Sequence, residues 1–589
     1  MSAVQPAAAS STTPPASNVT QELQPQRQSE NQKSEDGDTT GTVGEDEKPK
    51  ETELAMWKLL LLGIALLSSL FCISLDGTIL ATAIPKITNH FHSLDDVAWY
   101  GSAYLFTTCA VQLVFGKMYA LYATKWVFLT GVAIFELGSL ICGTAPTSIA
   151  LIIGRAIAGL GAAGIFTGVI LIIATNVPLR QRPIYTGLMS SMHAVASVAG
   201  PLLGGVFTDH VTWRWCFYIN LPFGVVSILF ILLFLPSTPP PQSDKDWKEK
   251  VKSFDLIGTF FLIPGIICLL LALQWGGAKY PWDNARIIAL FVVFGVLMAV
   301  FIGVEFWQKD RATIPLRILK DRNILGAVWF GICMGGALFI FTYYLPIWFQ
   351  AIQGVSATQS GIRNLPSILG LVVFAMIGGG LVTAVGYYTP FLILSSVVTA
   401  VGAGMLSTLK TNSGKGEWIG YQILLSAGAG LGAQNVMLVP QVASPPADQP
   451  MAISILIFTQ TLSSAIFLAV AQNIFQNQLI RNLHSYAPDI DSSSVIQTGV
   501  TLLRENFSPE QLPPVLEAYN KAIIQTFYVA VAMAAASVFG PIFMKWLSLK
   551  TPKKDATQNG EENVQNGEAG AEEEKGSGHE AGGSGRENA

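Results

Sequence analysis

Charge is scarce in this sequence. Only 13% of its 589 residues are Asp, Glu, Lys or Arg, about half the share of an ordinary soluble protein, which argues against a soluble enzyme of several domains. Histidine is rarer still: His90, His92, His193, His210, His484 and His579 are scattered along the chain, without the clustering that a membrane enzyme would need. The six cysteines, Cys72, Cys109, Cys142, Cys216, Cys268 and Cys333, fall singly within or beside apolar runs with no C-x-x-C pair. That speaks against a disulfide framework or a zinc site and for small packing residues. No basic cluster is interleaved with stacking aromatics, so nucleic-acid binding has no support. A cleavable leader is not expected either, because the first apolar run begins near Trp57, after a Pro/Ser/Thr/Gln-rich stretch too polar to order itself.

What the chain has instead is apolar length. Apolar residues make up 51% of it, and a bilayer core takes about 20 of them in one helix. Runs of that kind lie near 57–84, 97–119, 125–144, 148–174, 186–207, 217–236, 254–275, 286–306, 324–349, 361–383, 387–409, 417–438, 451–475 and 522–547, fourteen in all. The weakest are 186–207, rich in Ser, Met and Gly, and 361–383, which opens on Arg363-Asn364; both suit helices that face other helices. The few charges are unevenly placed. Residues 1–53 and 548–589 are acidic, whereas residues 54–547 hold 26 Lys/Arg against 20 Asp/Glu. With a cytoplasmic N-terminus, the first four inner loops carry 13 Lys/Arg against Lys86, Arg214 and Lys279 outside, and this excess sets the orientation. An even span count returns the C-terminus to the cytoplasm. The longest loop, 477–521, is then outside and holds the sequon Asn506-Phe507-Ser508, a candidate for N-glycosylation.

Three ionisable residues lie well inside spans: Asp76, Glu136 and Arg155. Burying such groups is expensive, so each is a candidate for function. Helical rise puts all three in one layer of the outer half. An acid and an arginine at one depth can pair, and such a pair is a place to take up or release a proton. Asp76 is the expected titrating group, Arg155 the group that adjusts it, and Glu136 reads first as a static helix-positioning residue. The segment Gly159-Leu160-Gly161-Ala162-Ala163-Gly164 fits a dinucleotide fingerprint, but no strand precedes it and it sits inside an apolar helix; close helix packing explains it better. Gly200, Pro201, Gly204 and Gly205 form a second small-residue stretch with a mid-span proline, suited to a bend or a seal. Amides at depth (Gln112, Gln434, Asn435, Gln460) and aromatics (Tyr104, Phe339, Tyr343) would suit a cavity for an amphipathic organic ligand, each with packing as its plainer role. His90 and His92 with Asp95 and Asp96 have metal-donor types but read as a solvated outer loop. Neither a metal nor a cofactor is expected.

These residues carry a resemblance. Leu75-Asp76-Gly77-Thr78 through Ala83-Ile84-Pro85 resembles the first-span motif of the 14-helix drug:proton antiporters of the major facilitator superfamily. Ile153-Gly154-Arg155-Ala156 with Gly159, Gly161 and Ala163 is similar to that superfamily's fourth-span arginine motif, and Gly200-Pro201 with Gly204-Gly205 to its fifth-span antiporter motif. Trp213 through Pro222 resembles the entry to the sixth span in fungal members. The resemblance implies an all-α integral membrane protein of the major facilitator fold. Residues 54–237 would form one six-helix bundle and 323–547 a second, with two inserted helices at 254–306 between cytoplasmic loops 238–253 and 307–322; disordered cytoplasmic tails would fill 1–53 and 548–589. It also implies proton-driven export of toxins, secondary metabolites or drugs by a monomer in the cell membrane or an internal one, its partners being protons, the lipid bilayer and a small organic substrate. Proton symport of a siderophore or nutrient, and a receptor that transports nothing, are the alternatives. The loop after the second span departs from the pattern: Ala120 stands where the superfamily usually has an acid, and Ala123 replaces its second glycine.

Overall fold

Fourteen helices of the computed structural model are long and apolar enough to cross a membrane, and they coincide with the fourteen apolar runs. The structure describes residues 56–92, 96–237, 248, 250, 253–277, 280–490, 495 and 503–550. The expected disordered tails, up to residue 53 and from 551 on, and most of the loop 238–253 lie outside the described residues. We number the spans α1 (Met56–Phe91), α2 (Val97–Leu121), α3 (Thr124–Thr144), α4 (Ser148–Asn176), α5 (Arg182–His210), α6 (Asn220–Phe234), α7 (Leu256–Trp275), α8 (Ala285–Gln308), α9 (Arg322–Ala351), α10 (Leu365–Val385), α11 (Thr389–Leu406), α12 (Lys415–Ala433), α13 (Gln449–Tyr486) and α14 (Leu512–Ala536). Among the described residues the only bridge pairings are two isolated ones. A chain this apolar satisfies its backbone inside each helix, because lipid offers no hydrogen-bond partners.

The packing has a hidden regularity. In the first bundle α1 packs on α5 and α6, α2 on α4, and α3 on α4 and α6. Adding eight to each number gives the second bundle: α9 on α13 and α14, α10 on α12, and α11 on α12 and α14. The contacts between bundles obey the same rule, since α2 meets α13 and α5 meets α10. The chain is therefore two copies of one six-helix arrangement, with the pair α7–α8 inserted between them.

Both chain ends leave the spans on one side, called here the tail end. The bundles touch near it. Gly116 of α2 lies against Ser454 and Met451 of α13, and Gly379 of α10 lies against Pro183 and Ile184 of α5. Farther from the tail end, Val195, Leu202 and Val206 of α5 and Leu369 and Val373 of α10 are exposed. These glycine contacts between the bundles thus lie at the tail end. The two spans with the weakest sequence signal, α5 and α10, pack on each other across the bundles.

Three helices run well past the sequence boundaries. α1 continues to Phe91, and the expected loop 477–521 is shortened from both sides, by α13 running to Tyr486 and α14 starting at Leu512. The extension of α13 is held because Leu479 and Leu483, one turn apart, are buried along with Val515 and Ala518 of α14.

Candidate functional site

The ionisable residues of the first bundle separate into a pair and a single. Asp76 of α1 and Arg155 of α4 are both fully buried and form an ion pair, Arg155 Nη1 donating to Asp76 Oδ2. The guanidinium is fixed on two further sides. Its Nε donates to the Tyr100 carbonyl at 2.7 Å, and its face stacks over the Tyr104 ring at 4.6 Å, an attraction that strengthens when water is excluded. Asp76 is less fully engaged: its Oδ1 is buried and has no hydrogen-bond partner. Glu136 of α3 stands outside this pair. Its carboxyl fills the space that a Cβ on Gly224 of α6 would take, and both its oxygens are buried without a partner.

Glycines bring the walls of this site together. The α4 glycines of the apparent dinucleotide fingerprint do so by close approach: a Cβ on Gly159 would overlap the Tyr104 carbonyl oxygen, and one on Gly161 the Phe135 amide nitrogen. Thr108 Oγ1 adds a hydrogen bond to the Gly159 carbonyl at 3.0 Å. On the other side, Gly200 and Gly204 of α5 seat Thr78 and Thr82 of α1, while Gly205 faces open space. Thr78 Oγ1 then donates to the Ala196 carbonyl at 3.1 Å. Two residues before Asp76, Ser74 Oγ lies 2.9 Å from His193 Nδ1 of α5. The sequence showed nothing to mark His193, because its partner is 119 residues away.

The residues expected around a cavity are dispersed. Phe339 and Tyr343 of α9 are exposed, and Gln434 and Gln460 are half-buried. Gln112 and Asn435, by contrast, are interior. Gln112 donates to Thr167 Oγ1 at 2.5 Å between α2 and α4, and Asn435 donates to the Leu431 carbonyl at 2.7 Å in its own chain segment. Their amides are spent on packing, because a buried amide takes the nearest acceptor. Tyr104 belongs to the ion pair rather than to an open wall. Asn506 is exposed at the far end. All six cysteines are free, and five are buried. No group of three or more His, Cys, Asp or Glu among the described residues could hold a metal ion; Asp95 lies outside them, and Asp96 accepts a hydrogen bond from Ser148 Oγ at 2.5 Å.

Comparisons with known proteins agree with the fold. Residues 66–468 match the sequence model of the Major Facilitator Superfamily. The chain is 51% identical over 509 residues to the MFS-type transporter astH of Aspergillus oryzae, covering 86% of this chain and 90% of that one. It is 53% identical over 497 residues to the efflux pump roqT of Penicillium rubens, covering 84% and 92%. Among solved structures, the proton:xylose symporter XylE superposes with a TM-score of 0.54 at 14% identity, covering 84% of this chain and 97% of that one; this likeness concerns the fold.

Proposed function

The chain belongs to the Major Facilitator Superfamily, as a multi-pass membrane transporter, and on that premise we propose that it exports amphipathic organic molecules in exchange for protons. The observation that carries this reading is the Asp76 carboxylate. One of its oxygens holds Arg155, and the other is buried and unpaired, which leaves a place for a proton inside the first bundle. Protonation neutralises Asp76 and leaves the Arg155 charge without its partner, a costly state in a dry interior. Such a cost is what couples a proton to a change of shape. Arg155 would fall back on Tyr100 and Tyr104, while α1, seated on α5 by Gly200 and Gly204, would carry the change to the inter-bundle contact of α5.

The Lys/Arg excess of the inner loops supports a cytoplasmic tail end. The contacts between the bundles would then close the cytoplasmic side of a cleft that opens to each side in turn, the state in which an exporter has released its cargo and meets external protons. Exposed Phe339 and Tyr343, with half-buried Gln434 and Gln460, supply the aromatic and amide surface that an amphipathic cargo needs. Glu136 serves this reading as a residue fixing α3 on α6, its carboxyl filling the gap at Gly224. Asn506 on the outer side would carry a glycan, visible as a mass shift on glycosidase treatment.

Proteoliposomes loaded with candidate compounds under an imposed proton gradient test the mechanism. The wild type should drive cargo against its gradient, and Asp76→Asn should lose the gradient-dependent part while still binding cargo. Transport by Asp76→Asn that follows the proton gradient at the normal rate would sink the coupling, and cargo moving with the protons would replace antiport by symport.

A further inference from the structure

Segment 309–319 joins the inserted pair to the second bundle, and it is held from three directions. The inserted pair grips it through two carboxylates. Asp255, buried at the start of α7, accepts from Thr313 N at 3.1 Å, Thr313 Oγ1 at 2.9 Å and Gln308 Nε2 at 2.5 Å. Glu305 accepts from Thr313 N at 3.0 Å and Ile314 N at 2.8 Å. The first bundle reaches it from the last turn of α2, where Lys117 Nζ donates to the Arg311 carbonyl at 3.1 Å. The second bundle takes the other end: Arg317 grips both oxygens of Asp448, the residue before α13, with Nη2 2.6 Å from Oδ1. Two-pronged pairs of this kind fix direction as well as distance. At the head of the segment Lys309 has a φ of +53°, a left-handed conformation that a side-chain-bearing residue keeps only when its surroundings impose it.

The anchors converge on one place. Lys117 follows Gly116, which lies against Ser454 and Met451, and Asp448 precedes the turn of α13 that carries them. The segment therefore spans the tail-end contact between α2 and α13 and is tied to both helices. The stretch from Gly116 to Lys125, the end of α2 and the turn into α3, contains no acidic residue, so it offers no carboxylate of its own to this contact.

We propose that segment 309–319 is a strap that keeps the tail ends of α2 and α13 together, and that the Arg317–Asp448 and Lys117–Arg311 contacts must part before the cleft opens there. The inference rests on the two-ended access proposed above, but its test uses neither cargo nor a proton gradient, so it fails or stands apart from the coupling. The test is hydrogen exchange of the full chain in lipid nanodiscs. Arg317→Ala should raise exchange about three- to tenfold in segments 115–122 and 449–456 and leave the far-end segments 97–104 and 476–486 unchanged. Lys117→Met, which cuts the other anchor, should speed the same two segments and carries the test if Arg317→Ala does not fold. The reversed pair Arg317→Asp with Asp448→Arg should return exchange toward wild type. Unchanged exchange at the two tail-end segments, or an equal rise at the far end, would overturn the strap.

Discussion

The two bundles share one arrangement but not one chemistry. The principal helix contacts of the first have counterparts eight helices later, yet among the described residues the buried ion pair occurs only in the first. Arg155 and Gln422 show the difference most clearly. Each is the eighth residue of its helix, α4 or α12, and each donates to a backbone carbonyl across its bundle: Arg155 to Tyr100 at 2.7 Å and Gln422 to Arg363 at 3.0 Å. The station is the same, but only one occupant is charged. Across α9–α14 the one buried charged side chain among the described residues is Asp448, just before the start of α13. The packing, which many sequences can satisfy, is shared, while the buried ion pair sits in one bundle. Coupling should therefore be a property of the first bundle, and the second should act mainly as frame and cargo wall.

The largest effect that tests this asymmetry comes from the ion pair. Asp76→Asn strands a buried guanidinium and should cost about 3–5 kcal/mol, seen as a marked drop in thermal stability in detergent together with loss of gradient-driven transport. Gln422→Leu in the second bundle removes two neutral hydrogen bonds, to the Arg363 and Trp418 carbonyls, about 1 kcal/mol each, and should leave the proton dependence intact. If Gln422→Leu abolished coupling as Asp76→Asn does, the division of labour between bundles would be wrong.

A smaller effect tests the likeness rather than the difference. A Cβ on Gly161 would overlap the Phe135 amide nitrogen between α4 and α3, and one on Gly428 would overlap the Thr399 amide nitrogen between α12 and α11. In both cases the obstacle is backbone, which yields little. Gly161→Ala and Gly428→Ala should then destabilise alike, by about 1–3 kcal/mol each, measured as matched shifts in melting temperature. Unequal shifts would mean that the shared pattern of contacts hides different tightness.

Much of this was legible in the sequence. Span count and helical class follow from apolar runs, since the bilayer dictates length. Asp76 and Arg155 stand out because a charge in a span is rare, and helical rise sets them at one depth; their contact needs the fold. Rise alone does not say which face each residue takes, so it groups Glu136 with the pair although that side chain turns toward α6. Gln112 and Asn435 mislead for a similar reason: an amide at depth looks the same in sequence whether it lines a cavity or bonds a neighbour. The reach of α13 beyond the membrane was hidden because hydropathy falls there, while its packing on α14 depends on one buried face. The eightfold offset between helix contacts was not visible beyond a faint glycine echo, because contacts join residues far apart in the chain.

The smallest expected effect sharpens how the two bundles close one shared seam, α1 on α5 and α9 on α13. In the first bundle the glycines are on α5, and Gly204 faces Thr82 Oγ1 with the Ile79 carbonyl 2.9 Å from where a Cβ would stand. In the second they have changed sides: Gly335 is on α9, and a Cβ there would stand 3.0 Å from Gln460 Cγ and the Gln460 carbonyl. The seam is equally intimate in kind, but its obstacle in the second bundle is partly the stem of a flexible side chain. Gly204→Ala should therefore cost more than Gly335→Ala, and both should exceed Gly205→Ala, which meets nothing within 4 Å and should change the melting temperature little. A Gly205→Ala protein that is stable but transports poorly would show that this glycine matters in the other end-state, where α5 has moved. The static seam would then be only half of what the motif does.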